Sequence, residues 1–411
     1  MRSFALLVLV GLGALLVPLA CVDPIEQTLP GTVDVVVVDG TITNLAEPQI
    51  IRLNRSRADS LTGRFGTLPI TKANVEVVVD SAEVVACHET INGSYQLPSD
   101  FKGLVGHAYQ LRFTLSDGTR YLSTQQVITP APPITRISAR FNPISLPQPL
   151  LQYYTAGHDV FIDTQDPADQ HNYYRWEWKL WEKQDWCRTC VNGVYAVNNV
   201  TIPSIGTYLS GDQPFEDCFK PPYNTNTQAL PDFKFDYPCR TQCWELLYSK
   251  DLNLFDDVYT NGGLVLNRTV GHIPFYQASP CLVEIRQFSL TKDAYRYFKL
   301  FQDQTQNAGG LADTPPTVLV GNVHNQANNR ENVVGYFTAS AVATKRIFLD
   351  RSDTEGSPPT LFRSLNDRDP IQEGRDGFIG INIVGGPVRP PTAVCGPIDQ
   401  RTPFKPEGWR D

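Results

Sequence analysis

The chain has 411 residues, 41% of them hydrophobic, and a formal net charge of −8. That apolar fraction is ample for two or three buried cores, and the acidic balance argues against nucleic acid, whose phosphates call for a basic surface. The one methionine is the initiator, which excludes an adaptable Met-rich groove.

At the N-terminus, Arg2 is followed by an almost unbroken apolar run over residues 4–19. The run has the length of a secretion-signal core and falls short of the roughly 20 residues that a membrane-spanning helix needs. It ends in Leu19-Ala20-Cys21, small residues before a cysteine, the pattern read by a bacterial lipoprotein signal peptidase. Residues 1–20 are therefore expected to be a signal peptide, Cys21 a lipid anchor to the outer membrane, and residues 21–31, with Pro24 and Pro30, a tether. More than one acyl chain on Cys21 would meet the two-signal requirement for stable anchoring.

With Cys21 spent on lipid, the cysteines left are Cys87, Cys187, Cys190, Cys218, Cys239, Cys243, Cys281 and Cys395, an even number. An exported chain is expected to pair them all, with the connectivity open. Cys187-Arg-Thr-Cys190 and Cys239-Arg-Thr-Gln-Cys243 have a second reading as halves of a zinc site. Zinc ribbons, however, sit on tight knuckles in small domains, so disulfides are expected and no metal.

Residues 32–129 read as strands. Residues 33–38 and 75–79 are β-branched runs, and residues 109–115 alternate apolar and polar with period two. Asp117-Gly118 between alternating runs predicts a tight hairpin turn with positive φ at both central residues. Short strands at this density, with no helical period, predict an immunoglobulin-like or prealbumin-like β-sandwich. Thr129-Pro130-Ala131-Pro132-Pro133 then predicts a stiff connector and a domain boundary.

Residues 134–350 predict a second β-rich domain with one packed helix. In residues 173–180, Tyr174, Trp176, Trp178 and Leu180 face one way and Arg175, Glu177 and Lys179 the other. Such an aromatic face is usually sandwich core. It also suits the apolar face of a sugar ring, which makes Trp176, Trp178 and the neighbouring Trp181 the candidate ligand contacts. Residues 187–243 form a long irregular stretch, and a loop of that length inside a compact domain needs a staple. Five of the available cysteines fall within it. A helix is expected over about 291–304, capped by Ser289 or Thr291, with Ala294, Tyr297, Phe298 and Phe301 as its apolar stripe. Strands follow near 335–342 and 345–350. Residues 351–411 read as an irregular tail that Cys395 ties back.

No catalytic constellation emerges. Ser289-Leu290-Thr291-Lys292 matches a Ser-x-x-Lys nucleophile motif but lacks its partner motifs, so helix capping is expected. There is no His-Glu-x-x-His and no Gly-x-Ser-x-Gly. His324, between Asn322 and Asn325, reads as part of a turn held by asparagine side chains. Asp163, Asp166 and Asp169 recur at every third position but lack the glycine of a calcium loop, and read as a solvated loop. The chain is expected to be non-enzymatic and to carry no cofactor.

Five segments carry a resemblance: Tyr173-Tyr174-Arg175-Trp176, Cys243-Trp244, Ser289-Leu290-Thr291-Lys292-Asp293-Ala294-Tyr295, Gly321-Asn322-Val323-His324-Asn325, and Val334-Gly335-Tyr336-Phe337-Thr338-Ala339-Ser340 followed by Lys345-Arg346-Ile347. In that order and spacing the chain resembles the Bacteroidota outer-membrane lipoproteins of the domain of unknown function 4249 family, from Val33-Asp34 to Lys405-Pro406-Glu407-Gly408-Trp409. The resemblance implies an accessory working near TonB-dependent receptors, with no established catalytic residues. In that lineage acidic residues such as Asp23 and Glu26, close behind the lipid site, accompany export to the cell surface. A glycan or peptide is the expected ligand. The rival readings are a carbohydrate-active enzyme or peptidase with an immunoglobulin-like module, and a structural envelope component. The cysteine-rich insert departs from the simplest members of the family.

Overall fold

A computed structural model of the chain describes residues 32–59, 64–168, 170–197, 200–202, 206–208, 216–219, 234–305, 319–373, 392–396 and 400–411. The expected signal peptide, Cys21 and the tether lie outside the described residues, as does Asp169. Among the described residues the architecture is mainly β, with several sheets and two helices.

The first module is a two-sheet sandwich. One sheet centres on the antiparallel pair Thr32–Thr43 and Ile50–Asp59, the other on Asn74–Val79 beside Ala108–Thr114. Period-two alternation sends Val36, Val38, Val75, Val77, Leu111 and Phe113 inward, where all are fully buried. Phe113 stacks on Tyr121 across the neighbouring strand at 4.7 Å. The Asp117-Gly118 turn forms, but only Gly118 takes positive φ, at 87°. The bonds Leu115 N–H to Thr119 O (2.9 Å) and Gly118 N–H to Leu115 O (2.9 Å) close a three-residue loop in place of the expected two-residue one.

Residues 32–129 do not complete this sandwich. Strand Val333–Ser340 pairs in parallel with Thr32–Thr43, and Val323–Asn325 pairs with Arg120–Ser123, so both sheets take an outer strand from a segment read as second domain. Phe337 is fully buried in the first core. Asn322 holds the two strands together: its side-chain amide accepts from Phe337 N–H and donates to Phe337 O, both at 2.9 Å. The backbones approach so closely that a Cβ on Gly335, whose φ is 99°, would stand 1.8 Å from Val38 O.

The second module packs the three-stranded sheet of Ile134–Asn142, Gly157–Gln165 and Leu264–Pro274 against a larger sheet. In that larger sheet Val342–Leu349, Cys281–Leu290, Tyr173–Lys183, Trp244–Tyr248 and Arg401–Thr402 lie side by side. Tyr174, Trp176, Leu180, Val160, Val283 and Ile285 meet in the core between the sheets. Helix Lys292–Thr305 starts where expected, with Thr291 Oγ1 accepting from Ala294 N–H at 3.3 Å. Ala294 is buried, but Phe301 at the far end of the expected stripe is 40% exposed. The described part of the C-terminal tail is not irregular throughout. It forms the short helix Leu361–Asn366 and the strand Arg401–Thr402, and it seats Trp409 edge-on against Trp244 at 5.6 Å.

The described part of the insert is not irregular. It builds three small ladders, Trp186–Val191 with Lys234–Pro238, Val194–Val197 with Glu216–Phe219, and Val200–Ile202 with Gly206–Tyr208. Its core is the disulfides themselves packed with Val194, Tyr195, Phe235 and Tyr237.

Candidate functional site

The cysteines settle first. Cys187 bonds Cys239, Cys190 bonds Cys218, and Cys243 bonds Cys395, the last tying the tail to the insert as expected. The sulfurs of Cys187, Cys239 and Cys243 lie within 4.8 Å of one another, but each is engaged in a disulfide and so is not a thiolate ligand. The expectation that Cys87 and Cys281 are also paired is overturned: both are free. Cys87 packs against the first core and Cys281 within the second, so each lies in a different module from the other. Burial pushes the Cys87 thiol up to about 12, and pushes that of the fully buried Cys281 further in the same direction.

The expected ligand contacts separate. Strand Tyr173–Lys183 runs antiparallel to Cys281–Leu290 along its whole length. Its other edge is covered by Asn253–Asp256 up to Trp176 and by Trp244–Tyr248 from Lys179 onward. Between these the neighbouring chain leaves the ladder, and Ser249 alone holds on, its N–H bonding Trp178 O at 3.0 Å and its Oγ accepting from Trp178 N–H at 3.2 Å. Trp178 therefore stands at a notch in the sheet. Gly271 lets it lie close, since a Cβ there would be 2.6 Å from the indole. Trp176 is buried beneath, its Nε1 donating to Gln287 Oε1 at 2.9 Å. Trp181 faces the opposite side and is buried with Trp244 and Leu282. Of the expected aromatic contacts, Trp178 alone is placed to meet a ligand. Trp176 is floor, and Trp181 belongs to another core because adjacent strand residues point to opposite faces.

The notch opens into a cavity of about 310 Å³ that includes Trp178, Tyr276, His272 and Lys250. A larger hollow of about 930 Å³ runs on from it along the seam between the insert, the helix Leu361–Asn366 and the sheet. Leu150, Tyr248, Ser249, Lys250 and Tyr276 line both, so the two form one groove. Tyr248 is 47% exposed there.

Two of the groove's acidic side chains, Glu245 and Glu216, are already engaged, while the third, Asp251, is exposed. Glu245 accepts from Arg401 Nε at 3.0 Å. Glu216 is bound by Arg240 at 2.8 Å and by the Tyr195 hydroxyl at 2.6 Å, and the Arg240 hydrogen bonds hold its carboxyl below the usual range. Ser145, His272 and Asp159 come together, which nothing in their sequence spacing signalled. Yet Ser145 Oγ donates to Asp159 Oδ1 at 2.6 Å, and the same oxygen lies 2.8 Å from His272 Nδ1. A nucleophile relay needs the serine on one imidazole nitrogen and the carboxylate on the other; here both sit on Nδ1. Burial raises the Asp159 carboxyl, but the bonds from Ser145, Asn142 and His272 outweigh it and leave its pKa lowered.

The remaining sequence candidates also resolve. Ser289 lies in a strand, 2% exposed, with its Oγ donating to Thr129 O at 2.6 Å, so the Ser-x-x-Lys match is a strand end and a helix cap. The turn reading of His324 is overturned: it is exposed within strand Val323–Asn325, and the asparagine-held turn comes only after that strand, where Asn325 Oδ1 accepts from Ala327 N–H at 2.8 Å. The solvated-loop reading of Asp166 is overturned: it is 1% exposed and accepts from the Tyr174 hydroxyl at 2.7 Å, because the turn after Gly157–Gln165 folds inward onto the second core.

No curated protein and no solved structure matches the chain. The model of the family described as Domain of unknown function (DUF4249) matches residues 22–346. That span is most of the chain and takes in both modules and the insert, so the protein belongs to the DUF4249 family.

Proposed function

We propose that this protein is a non-enzymatic lipoprotein, anchored to the outer membrane through Cys21, that holds a glycan or peptide for a TonB-dependent transporter and docks on that transporter through its cysteine-rich insert. The observation that carries the reading is the groove between insert and sheet, with Trp178, Tyr248 and Tyr276 along it. Flat aromatic side chains at a concave seam suit pyranose faces and peptide side chains alike. The carboxylates of Glu216 and Glu245 are held by arginines and a tyrosine hydroxyl, an arrangement for shape and hydrogen bonding rather than for proton transfer. Disulfides on one wall lower the entropic cost of ordering a binding surface.

The test is a pull-down from native outer membranes solubilised in detergent. It compares the wild type with a variant in which a short Gly-Ser linker replaces residues 191–235 and Cys190→Ser removes the orphaned thiol. That variant keeps the Cys187–Cys239 and Cys243–Cys395 bonds. Recovery of a TonB-dependent receptor with the wild type alone supports the proposal. Equal recovery with both moves the contact off the insert, and recovery with neither favours a structural envelope role. In parallel, Cys21→Ser is expected to release the protein from outer-membrane extracts. Full retention of that variant would sink the anchor.

A further inference from the structure

Two turns meet at the end of the second module away from the insert, and they bring together a charge arrangement the fold has not balanced. One turn joins Gly157–Gln165 to Tyr173–Lys183 and carries Asp166 and His171. The other joins Asn253–Asp256 to Leu264–Pro274 and carries Asp257. Asp257 is fully buried, and Asp166 is 1% exposed. Asp257 Oδ2 accepts from Asn172 N–H at 2.8 Å, but Oδ1, buried as well, has no hydrogen-bond partner. The only cationic group within ion-pair distance of it among the described residues is His171, whose Nε2 lies 3.1 Å away. That nitrogen is closer to Asp256 Oδ1, at 2.5 Å. An imidazole nitrogen carries at most one hydrogen, so the hydrogen directed at Asp256 leaves Asp257 Oδ1 without one.

Desolvated carboxylates close to one another are costly unless a cation compensates them. Among the described residues no lysine or arginine pairs with Asp166 or Asp257. Asp166 is met by the Tyr174 hydroxyl at 2.7 Å and the Gly262 amide at 3.2 Å, neither of them a cation.

We propose that His171, Asp256 and Asp257 bind one divalent transition-metal ion, with Zn²⁺ preferred over Ca²⁺. The ligand atoms, one from each residue, lie within 4.8 Å of one another. Zinc binds histidine nitrogen and carboxylate oxygen at about 2.0–2.2 Å, so an ion among them satisfies all three where a single proton satisfies one. The imidazole decides the class of metal, since calcium takes oxygen ligands only. The ring is held for this role: His171 stacks on Tyr173 at 4.7 Å, and Tyr173 on Tyr295 of the helix Lys292–Thr305 at 4.8 Å. His171 is 44% exposed and Asp256 28%, so the ion has an entry path and room for water at its remaining positions. The site is separate from the groove and does not depend on the proposed function.

The experiment is calorimetric titration of the full exported chain, disulfides intact and previously stripped with EDTA, with ZnCl₂, MnCl₂ and CaCl₂ in turn. One Zn²⁺ per chain is expected, with Ca²⁺ at least about tenfold weaker. Asp257→Asn is expected to abolish the Zn²⁺ isotherm. Because that residue is buried, the exposed His171→Ala serves as the second variant, expected to weaken Zn²⁺ by at least about tenfold with an unchanged circular dichroism spectrum. Absence of a Zn²⁺ isotherm would mean that a shared proton balances the carboxylates and would overturn the proposal. Zn²⁺ binding unchanged in His171→Ala, or Ca²⁺ binding as tight as Zn²⁺, would overturn it equally.

Discussion

The first sandwich and the cysteine-rich insert are both β-structure, yet they are held together by opposite means. The sandwich contains no disulfide and closes on a buried aliphatic and aromatic core set inward by period-two alternation. In the described part of the insert few apolar side chains are buried, and the core there is built around cross-links, two tyrosines and buried polar bonds. Small units that cannot gather enough apolar area rely on covalent staples. The difference teaches that the sandwich responds to loss of packing, and the insert to loss of covalent and charged links.

The largest expected effect breaks the sandwich side. Phe337→Ala removes a fully buried ring supplied by the distant strand Val333–Ser340, and should cost about 3–5 kcal/mol. Urea denaturation followed by circular dichroism would measure it. A loss below about 1 kcal/mol would mean that this strand does not complete the first core.

Cross-link removal should reverse the pattern. The Cys190–Cys218 bond closes a loop with a sequence separation of 28, for which chain entropy predicts about 3–4 kcal/mol. Replacing both cysteines with serine should open the insert to proteases and raise amide exchange across 186–197, while exchange in the sandwich core stays slow. Uniform loosening of both regions would erase the contrast. Thiol labelling sharpens it. Denatured, unreduced protein lacking Cys21 should show two labelled cysteines, Cys87 and Cys281. In the native state both should react slowly, since burial raises both thiols.

Acid should single out the insert next. Burial raises Asp236, but the bonds from Arg368, from Ile371 N–H at 2.8 Å and from the Thr189 hydroxyl at 2.7 Å outweigh it and lower its pKa. A folded value below the unfolded one means that this stabilisation is fully present above the unfolded pKa of about 3.9 and is lost as pH falls through the lower folded value. Asp236→Asn should cost about 1–3 kcal/mol at neutral pH, with the difference from wild type shrinking below about pH 4. Equilibrium unfolding at several pH values would read the slope, and a difference that grows in acid would contradict the assignment.

The smallest effect belongs to the surface of the sandwich. Arg112 pairs with Glu76 at 2.6 Å, but the arginine side chain is 44% exposed. Arg112→Ala should change stability by at most about 1 kcal/mol. A larger loss in thermal denaturation would show that charge contributes more to the sandwich than its packing suggests.

β-Branched runs were enough for the strands at 33–38 and 75–79, and alternation for 109–115 and the aromatic strand 173–180, because a strand's inward set is written every second residue. The helix start at Thr291 was legible through its cap, and the need for staples in 187–243 through its cysteines and its length. Other features depend on proximity between residues far apart in the chain, and spacing does not encode proximity. The parallel pairing that brings Val333–Ser340 to Thr32–Thr43 is one. The choice of six bonded cysteines, with Cys87 and Cys281 held apart in separate cores, is another. Trp176, Trp178 and Trp181 looked alike on paper. Only the gap left at residue 249 by the neighbouring strand exposes Trp178 to the groove, while the other two are packed away. Asp166 read as a solvated loop carboxylate, and tertiary closure of two turns buried it beside Asp257, because burial belongs to the assembled surface and not to any single segment.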